Sequence, residues 1–505
     1  MAESTFDIKF IAINQIAYTF NKLASINSND DNRESLIGMA IECLALMEQY
    51  QTLHPSYTTL LAYLAAAENV DITIYNSQWA MSIKQKANVY ITNLLEEMKL
   101  IFAKTNSALK PEQAQELFVK VRKGVIIRII QTEYQEALSL LDKFASIVEF
   151  STQPKVRQQF LDNRFIEYLF LKYIGNLFSL IWFPLDDNKY TIASGVYVKE
   201  GDKLLYSSSS FKPMDRIYNQ VLMYQKKNES LFEENDDETR YFWIIRFLRL
   251  SLFFKQFEFI EFYKEFLDLF ILQKEPLQYL VSDTSLIKCN LLVMFGMVLI
   301  FVKPFNTLSL LDNENDNLLE LYYEDPNKIE FKLYNQLMKP LSNGDFHQVK
   351  HVFEDTNLVH LLVSYLEYNF PISTSKFSSN SSSFVDYIKL IIDLKTFLSI
   401  LSSTRAIPRL KMLSLMGYDL KKKNESELNE VSNHLIGVIS ALGLGQVGIG
   451  YLASEQVFYN NATSASNSQV ELVSLQEDID RISHNLQGDS LATLMTNSLL
   501  EKFYS

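Results

Sequence analysis

ESELNEVSNHLIGVISALGLGQVGIGYLASEQVFYN, residues 425–460, changes its period halfway along. In the first half Leu428, Val431, Leu435, Val438 and Ile439 recur at three- and four-residue steps, which predicts a helix with one apolar face from Ser426 to Leu442. Gly443 stops it. Val447, Ile449 and Tyr451 then alternate, and after a turn at Ala453-Ser454 so do Val457 and Tyr459. That spacing predicts a hairpin with strands from Gln446 to Leu452 and from Glu455 to Asn460.

Working outward, Phe384 to Leu401 reads as a helix whose Val385, Ile388, Ile391, Ile392 and Leu398 form an apolar face. Ile407-Pro408 leads into a short helix that ends near Gly417, where a C-cap glycine fits. Helices followed by a hairpin give the outline of a winged helix over 384–460. Such a module reads DNA when its third helix carries Arg, Lys, Asn or Gln into the major groove. From Glu425 to Leu442 there is no Arg or Lys, and three glutamates sit in the first half, so DNA reading is disfavoured. Gly443, Gly445 and Gly448 spell GxGxxG, but a dinucleotide-binding turn follows a strand and opens a helix. Here the order is reversed, and the glycines serve the root of a hairpin.

The rest of the chain sets this module in a large helical protein. Its 505 residues exceed one compact core and predict two or three structural units. Hydrophobic residues make up 48% and charged residues 21%, as in a chain with a large buried core. A net charge of -13 argues against a surface that coats nucleic acid, and with 14 Gly and 11 Pro there is little punctuation for an all-β fold. Cys43 and Cys289 stand far apart without a CxxC neighbour, so two buried thiols are expected rather than a disulfide framework. MAESTFDIKF lacks the basic start and apolar run of a secretory signal, and a cytoplasmic and nuclear location is expected. The uncharged run from Leu291 to Val302 is far shorter than the ~20 residues that cross a bilayer, which predicts a buried core helix.

From Phe6 to about Phe305 helical periods dominate. Phe6, Phe10, Ile13, Ile16, Phe20 and Leu23 share a face, and a helix starting at Pro111 carries Leu117, Val121, Val125 and Ile129 on one side. Tyr134, Ala137, Leu138, Leu141, Phe144 and Ile147 have the large-small-large rhythm of a helix packed on two neighbours, the texture of tetratricopeptide-like hairpins, although no clean 34-residue period appears. Loops are expected from Asp186 to Pro213 and at the acidic Glu233 to Glu238, with Ser-rich text from Ser373 to Ser383.

Beyond the hairpin, Leu472, Leu475, Ile479, Ile482 and Leu486 are spaced as an a/d seam, with Glu477, Asp478, Asp480 and Arg481 outside it. Two heptads alone are marginal in water, so the seam needs a surface, either a partner's or that of its own domain. Catalytic motifs are missing from the sequence. His347 and His351 are four apart without HExxH, GxSxG and GxxxxGK[ST] do not occur, and neither Cys lies near a His. A protein without enzymatic activity, cofactor or metal is expected.

In its C-terminal order the chain resembles the PCI-domain family, found in the proteasome lid, the COP-nine signalosome and translation initiation factor three. The residues that carry the resemblance are the Tyr334 helix, the turn Asn343-Gly344-Asp345-Phe346, a helix from Leu358 to Phe370, and the module at 384–460. Within the family the outline is most similar to a signalosome subunit, because a terminal helix follows the wing after a short linker. The Ser-rich insertion and the long aromatic N-terminal half depart from the family's pattern. The resemblance implies a mostly α chain: a tetratricopeptide-like helical-repeat solenoid over 1–340, PCI helices and winged helix over 341–460, and an assembly helix over 468–505.

It also implies a scaffold role. The wing edge, with Gln446, Val447, Ile449, Tyr451, Val457 and Tyr459, would pair with a neighbouring PCI subunit, and the seam Leu472, Leu475, Ile479, Ile482 and Leu486 would enter a shared helix bundle. Partners would include a metalloprotease-type subunit, whose HxH motif this chain lacks, and cullin ligases through the complex. The resemblance leaves other memberships open: the proteasome lid, translation initiation factor three, or an RNA-export or transcription-linked complex using Arg405, Arg409, Lys411 and Lys421 to Lys423.

Overall fold

The computed structural model describes residues 6–26, 33–67, 74–103, 110–149, 154–179, 197–200, 203–206, 208–227, 237–255, 258–270, 280, 291–305, 308, 329–354, 384–421, 424–441 and 443–461. These are mostly helical, with a small sheet at the C-terminal end. The helix from Leu358, the Ser-rich insertion and the whole seam from Leu472 to Leu486 lie outside the described residues.

Helices α1 (Phe10–Ile26), α2 (Arg33–Gln49), α3 (Tyr57–Ala65), α4 (Ser77–Ala103), α5 (Pro111–Ile130), α6 (Tyr134–Glu149) and α7 (Pro154–Leu177) open the chain. The predicted start at Pro111 is present, and Gln113 closes it by accepting the Lys110 N–H through its side chain at 3.1 Å. Leu117, Val121, Val125 and Ile129 are buried, as are Tyr134, Ala137, Leu141, Phe144 and Ile147 from α6. Thr132, at φ 64, turns α5 into α6, and the Phe118 and Phe144 rings meet at 5.3 Å across the pair. Two glycines set the helix spacing on either side. A Cβ at Gly124 would lie 2.7 Å from Leu94 of α4, and one at Gly175 would lie 2.9 Å from Leu138.

A strand pair, β1 (Tyr197–Glu200) and β2 (Lys203–Tyr206), and the start of α8 (Ser208–Lys227) fall within the stretch up to Pro213 that reads as loop in the sequence. Then come α9 (Asp237–Lys255), α10 (Phe259–Phe270) and α11 (Leu291–Val302). The last is buried along Leu291 to Ile300, and Phe295 stacks on Phe266 at 3.8 Å. Among the described residues no helix is long and apolar enough to cross a membrane.

A charged knot ties the N-terminal segment to this core. Glu167, only 1% exposed, accepts from Arg122 at 2.7 Å and from Arg164 at 2.8 Å. Tyr241 joins it, accepting the Asp7 N–H at 3.1 Å, while Tyr50 donates to Asp7 at 2.6 Å. Such a buried carboxylate is stable only because its partners neutralise it.

Helix α12 (Ile329–Leu333) continues through a π-helical turn (Tyr334–Met338) into α13 (Lys339–Asn343), which Gly344 ends at φ 73. After α14 (Phe346–Glu354) and α15 (Phe384–Ser402) come β3 (Ala406–Pro408), α16 (Arg409–Leu415), α17 (Glu425–Ala441), a 3₁₀ turn (Leu444–Val447), β4 (Ile449–Leu452) and β5 (Val457–Asn460). The described residues form two main cores. One gathers buried side chains from Ile8 to Ile392, the other from Phe397 to Phe458. Helix α15 belongs to both, sending Ile388 and Ile392 into the first and Phe397, Ile400 and Leu401 into the second.

Candidate protein interface

The second core brings the sequence-predicted hairpin into a three-stranded antiparallel sheet of order β3-β5-β4. Strand β3 is too short and too proline-marked to be visible in the sequence. It pairs Ala406 with Tyr459, Ile407 with Phe458 and Pro408 with Val457. On the other side β4 pairs Gly450 with Tyr459, Tyr451 with Phe458 and Leu452 with Val457. Alternation sends Ile407, Phe458 and Ile449 inward, where they are buried against α15, α16 and α17.

Four of the six expected edge residues sit differently from the expectation. Gln446 and Val447 are in the 3₁₀ turn, not in a strand, because Gly443 (φ 64) and Gly448 (φ 85) bracket that turn in left-handed conformations. Val457 and Tyr459 lie on the central strand, whose backbone is paired on both sides and offers no edge. The second strand starts at Val457 instead of Glu455, since Gln456 is left-handed at φ 55. Ile449 and Tyr451 remain on β4, an edge strand of this sheet. The opposite edge, β3, has three residues and a proline without an N–H, which leaves β4 as the longer edge of this sheet among the described residues.

The sheet's outer face consists of Ala406, Pro408, Gly450, Leu452, Val457 and Tyr459. Tyr459 lies across Gly450: a Cβ there would collide with the phenol and come within 2.8 Å of its Cε1. Leu452 is 42% exposed and Leu410, just after β3, is 47% exposed. The outward side of α17 bears exposed Glu425, Glu427 and Glu430.

Of the basic residues considered for nucleic acid, Arg409 is buried, its backbone N–H reaching Gln456 O at 2.8 Å and its guanidinium bonded to Asn429. Arg405, Lys411 and Lys421 are exposed. Lys422 and Lys423 are outside the described residues. His347 and His351 are exposed on α14, and Cys43 is buried, its thiol pushed up by desolvation.

Polar contacts fix this module to the first core. Lys350 of α14 pairs with Asp393 of α15 and donates to the Tyr418 hydroxyl at 3.0 Å, while Tyr418 donates to Asp393 at 2.7 Å. Burial, then the Asp393 charge, push the Tyr418 phenol far above its ordinary value, so it stays a donor. Desolvation holds His434 below the usual histidine range. Gly417, at φ 89, lets the backbone close on α14: a Cβ would collide with the Phe346 carbonyl and sit 2.9 Å from His347 N. Lys395 donates to Ile300 O at 2.6 Å and Lys303 O at 2.9 Å, capping α11.

No protein-family model matches the chain, and no curated protein matches it.

Proposed function

We propose that the chain is a non-catalytic scaffold subunit of a PCI-type complex, built as a helical arm joined to a winged helix. The observation that carries the reading is the order helix, strand, helix, helix, strand, strand, with the third strand central, continued from the arm through α15. That order is the plan of a winged helix. Three features support protein rather than nucleic-acid contact: an acidic outward side on α17, a buried Arg409, and a four-residue edge at β4.

Within the family the reading is a subunit of the COP-nine signalosome most similar to its third, in the cytoplasm and nucleus, serving deneddylation of cullins by a metalloprotease-type subunit. The β4 edge joins a neighbouring PCI sheet, and the seam Leu472, Leu475, Ile479, Ile482 and Leu486 enters the common bundle. Co-purification of the tagged chain with its companions tests the reading. Ile479→Asp with Ile482→Asp is expected to release the chain from its companions while circular dichroism stays unchanged, and unchanged co-purification would remove the bundle claim. Salt-dependent RNA binding, lost when Arg405, Lys411 and Lys421 become Glu, would transfer the chain to the nucleic-acid class.

A further inference from the structure

Helix α8 shows one sign of charge to the outside. Among its described side chains the exposed ones are Lys212, Arg216, Asn219, Gln220, Met223 and Lys226: three cations, two amides and a methionine, with no carboxylate. At 3.6 residues per turn they fall within about 120° of the helix circumference and run about 21 Å along it. The exposed sides of α4 and α5 mix signs instead, Lys84, Lys86 and Lys99 with Glu96, and Lys120 and Lys123 with Glu112 and Glu116. We propose that the α8 stripe docks a short acidic linear segment of a partner protein. The proposal does not rest on which complex the chain joins.

The inner side of α8 fixes the stripe in place. Met214, Ile217 and Val221 are buried, and the Tyr224 ring meets Phe165 of α7 at 5.2 Å. Asp215, the one carboxylate of α8, pairs with Arg249 of α9 at 2.5 Å. Glu265 of α10 accepts from Tyr218 at 2.6 Å and from Arg246 of α9 at 2.8 Å. The acids beside the helix are thus spent on the arginines of α9. Lys212, Arg216 and Lys226 have no ion pair among the described residues, so three positive charges on an anchored helix stay available to an incoming anion.

Charge complementarity and the rest of the stripe select the occupant. An extended peptide rises about 3.3 Å per residue, so six or seven residues span the stripe. Asn219 and Gln220 offer amides to a peptide backbone. Met223, between Arg216 and Lys226 and 61% exposed, offers a flexible apolar contact to a side chain lying between carboxylates. The whole chain carries a net charge of -13, so a nucleic acid or an anionic bilayer overrunning the stripe would meet repulsion. A segment no longer than the stripe stays within the Debye length, about 8 Å, of its cations.

Fluorescence anisotropy of the purified full-length chain tests this, with a fluorescein-labelled peptide of Glu and Asp carrying one central Leu as the probe. Expected is saturable binding at low salt, weakened about tenfold or more when Lys212→Glu, Arg216→Glu and Lys226→Glu are combined and circular dichroism stays unchanged. Combined Lys84→Glu, Lys99→Glu and Lys411→Glu should leave it unaltered. On the unsubstituted chain, exchanging the peptide's Leu for Ser should weaken binding several-fold. No saturable binding at low salt, equal binding by the two triple variants, or indifference to the Leu would overturn the proposal. Tighter binding of a single-stranded oligonucleotide or of phosphatidylserine vesicles, lost in the same α8 variant, would assign the stripe to nucleic acid or membrane and overturn it. Peptide binding that appears only after Glu233→Gln, Glu234→Gln and Asp236→Asn would assign the stripe to the chain's own acidic stretch, and overturns it too. If the peptide fails while companion subunits still co-purify, the docking stripe is wrong and the scaffold reading stands.

Discussion

At the scale of single residues, two left-handed glycines with different surroundings separate conformational strain from collision. Gly344 (φ 73) has nothing within 4 Å of a built Cβ, so Gly344→Ala should cost about 1 kcal/mol in chemical denaturation. Gly417 has the same handedness but lies against the Phe346 carbonyl, and Gly417→Ala should cost roughly 2–4 kcal/mol because the backbone itself must shift. Equal costs at the two sites would contradict the close packing of α14 on the Gly417 turn. The sequence marked Gly417 as a helix stop. It could not show the second reason for glycine there, which is the Phe346 carbonyl 71 positions earlier.

His54 gives a pH dependence with a definite sign. Burial lowers its pKa to about 4, and its Nδ1 accepts the Ser56 N–H at 3.1 Å, so the folded chain holds it neutral. The unfolded chain takes up a proton below about pH 6.5, and stability that is full above that pH is lost as pH falls toward 4. The group contributes up to about 3 kcal/mol to that loss, and His54→Asn, which keeps an acceptor without titrating, should flatten the stability profile across this window. An unchanged profile would mean that His54 is solvated. Glu167 is a harsher case: Glu167→Gln leaves Arg122 and Arg164 without their shared carboxylate and should cost about 3–5 kcal/mol.

At the scale of elements, long amphipathic helices were legible and short paired strands were not. The α5, α6, α11 and α17 segments announce themselves because each repeats an apolar period many times or is apolar throughout. Strand β3 has three residues, one of them proline, and exists because β5 offers it a partner 50 positions later. This hidden strand turns the hairpin's second strand from an edge into the centre of the sheet. Helix α15 was also legible as a helix, but its double duty was not, because one apolar stripe does not say that its two ends enter different cores. Asp393 lies at the changeover between them. Asp393→Ala should cost roughly 2–4 kcal/mol by removing the carboxylate that pairs with Lys350 and accepts from Tyr418, and calorimetry should then resolve separate transitions for the two cores. A single unshifted transition would show that the junction is not held there.

At the scale of the whole molecule, the chain is acidic and its described residues are mostly helical with a small sheet at the C-terminal end. The wing residues Ile449 and Tyr451 were read from alternation alone, while Gln446 and Val447 were misread because glycine conformation, invisible in spacing, curls them into a turn. The expected seam from Leu472 to Leu486 rests on heptad spacing alone and lies outside the described residues. Affinity capture of the tagged full-length chain at native salt, with the bound proteins identified by mass spectrometry, tests the scaffold reading most directly. Stoichiometric recovery of several PCI-domain subunits together with a metalloprotease-type subunit is expected. Recovery of the chain alone, or with nucleic acid and no PCI subunit, would contradict it.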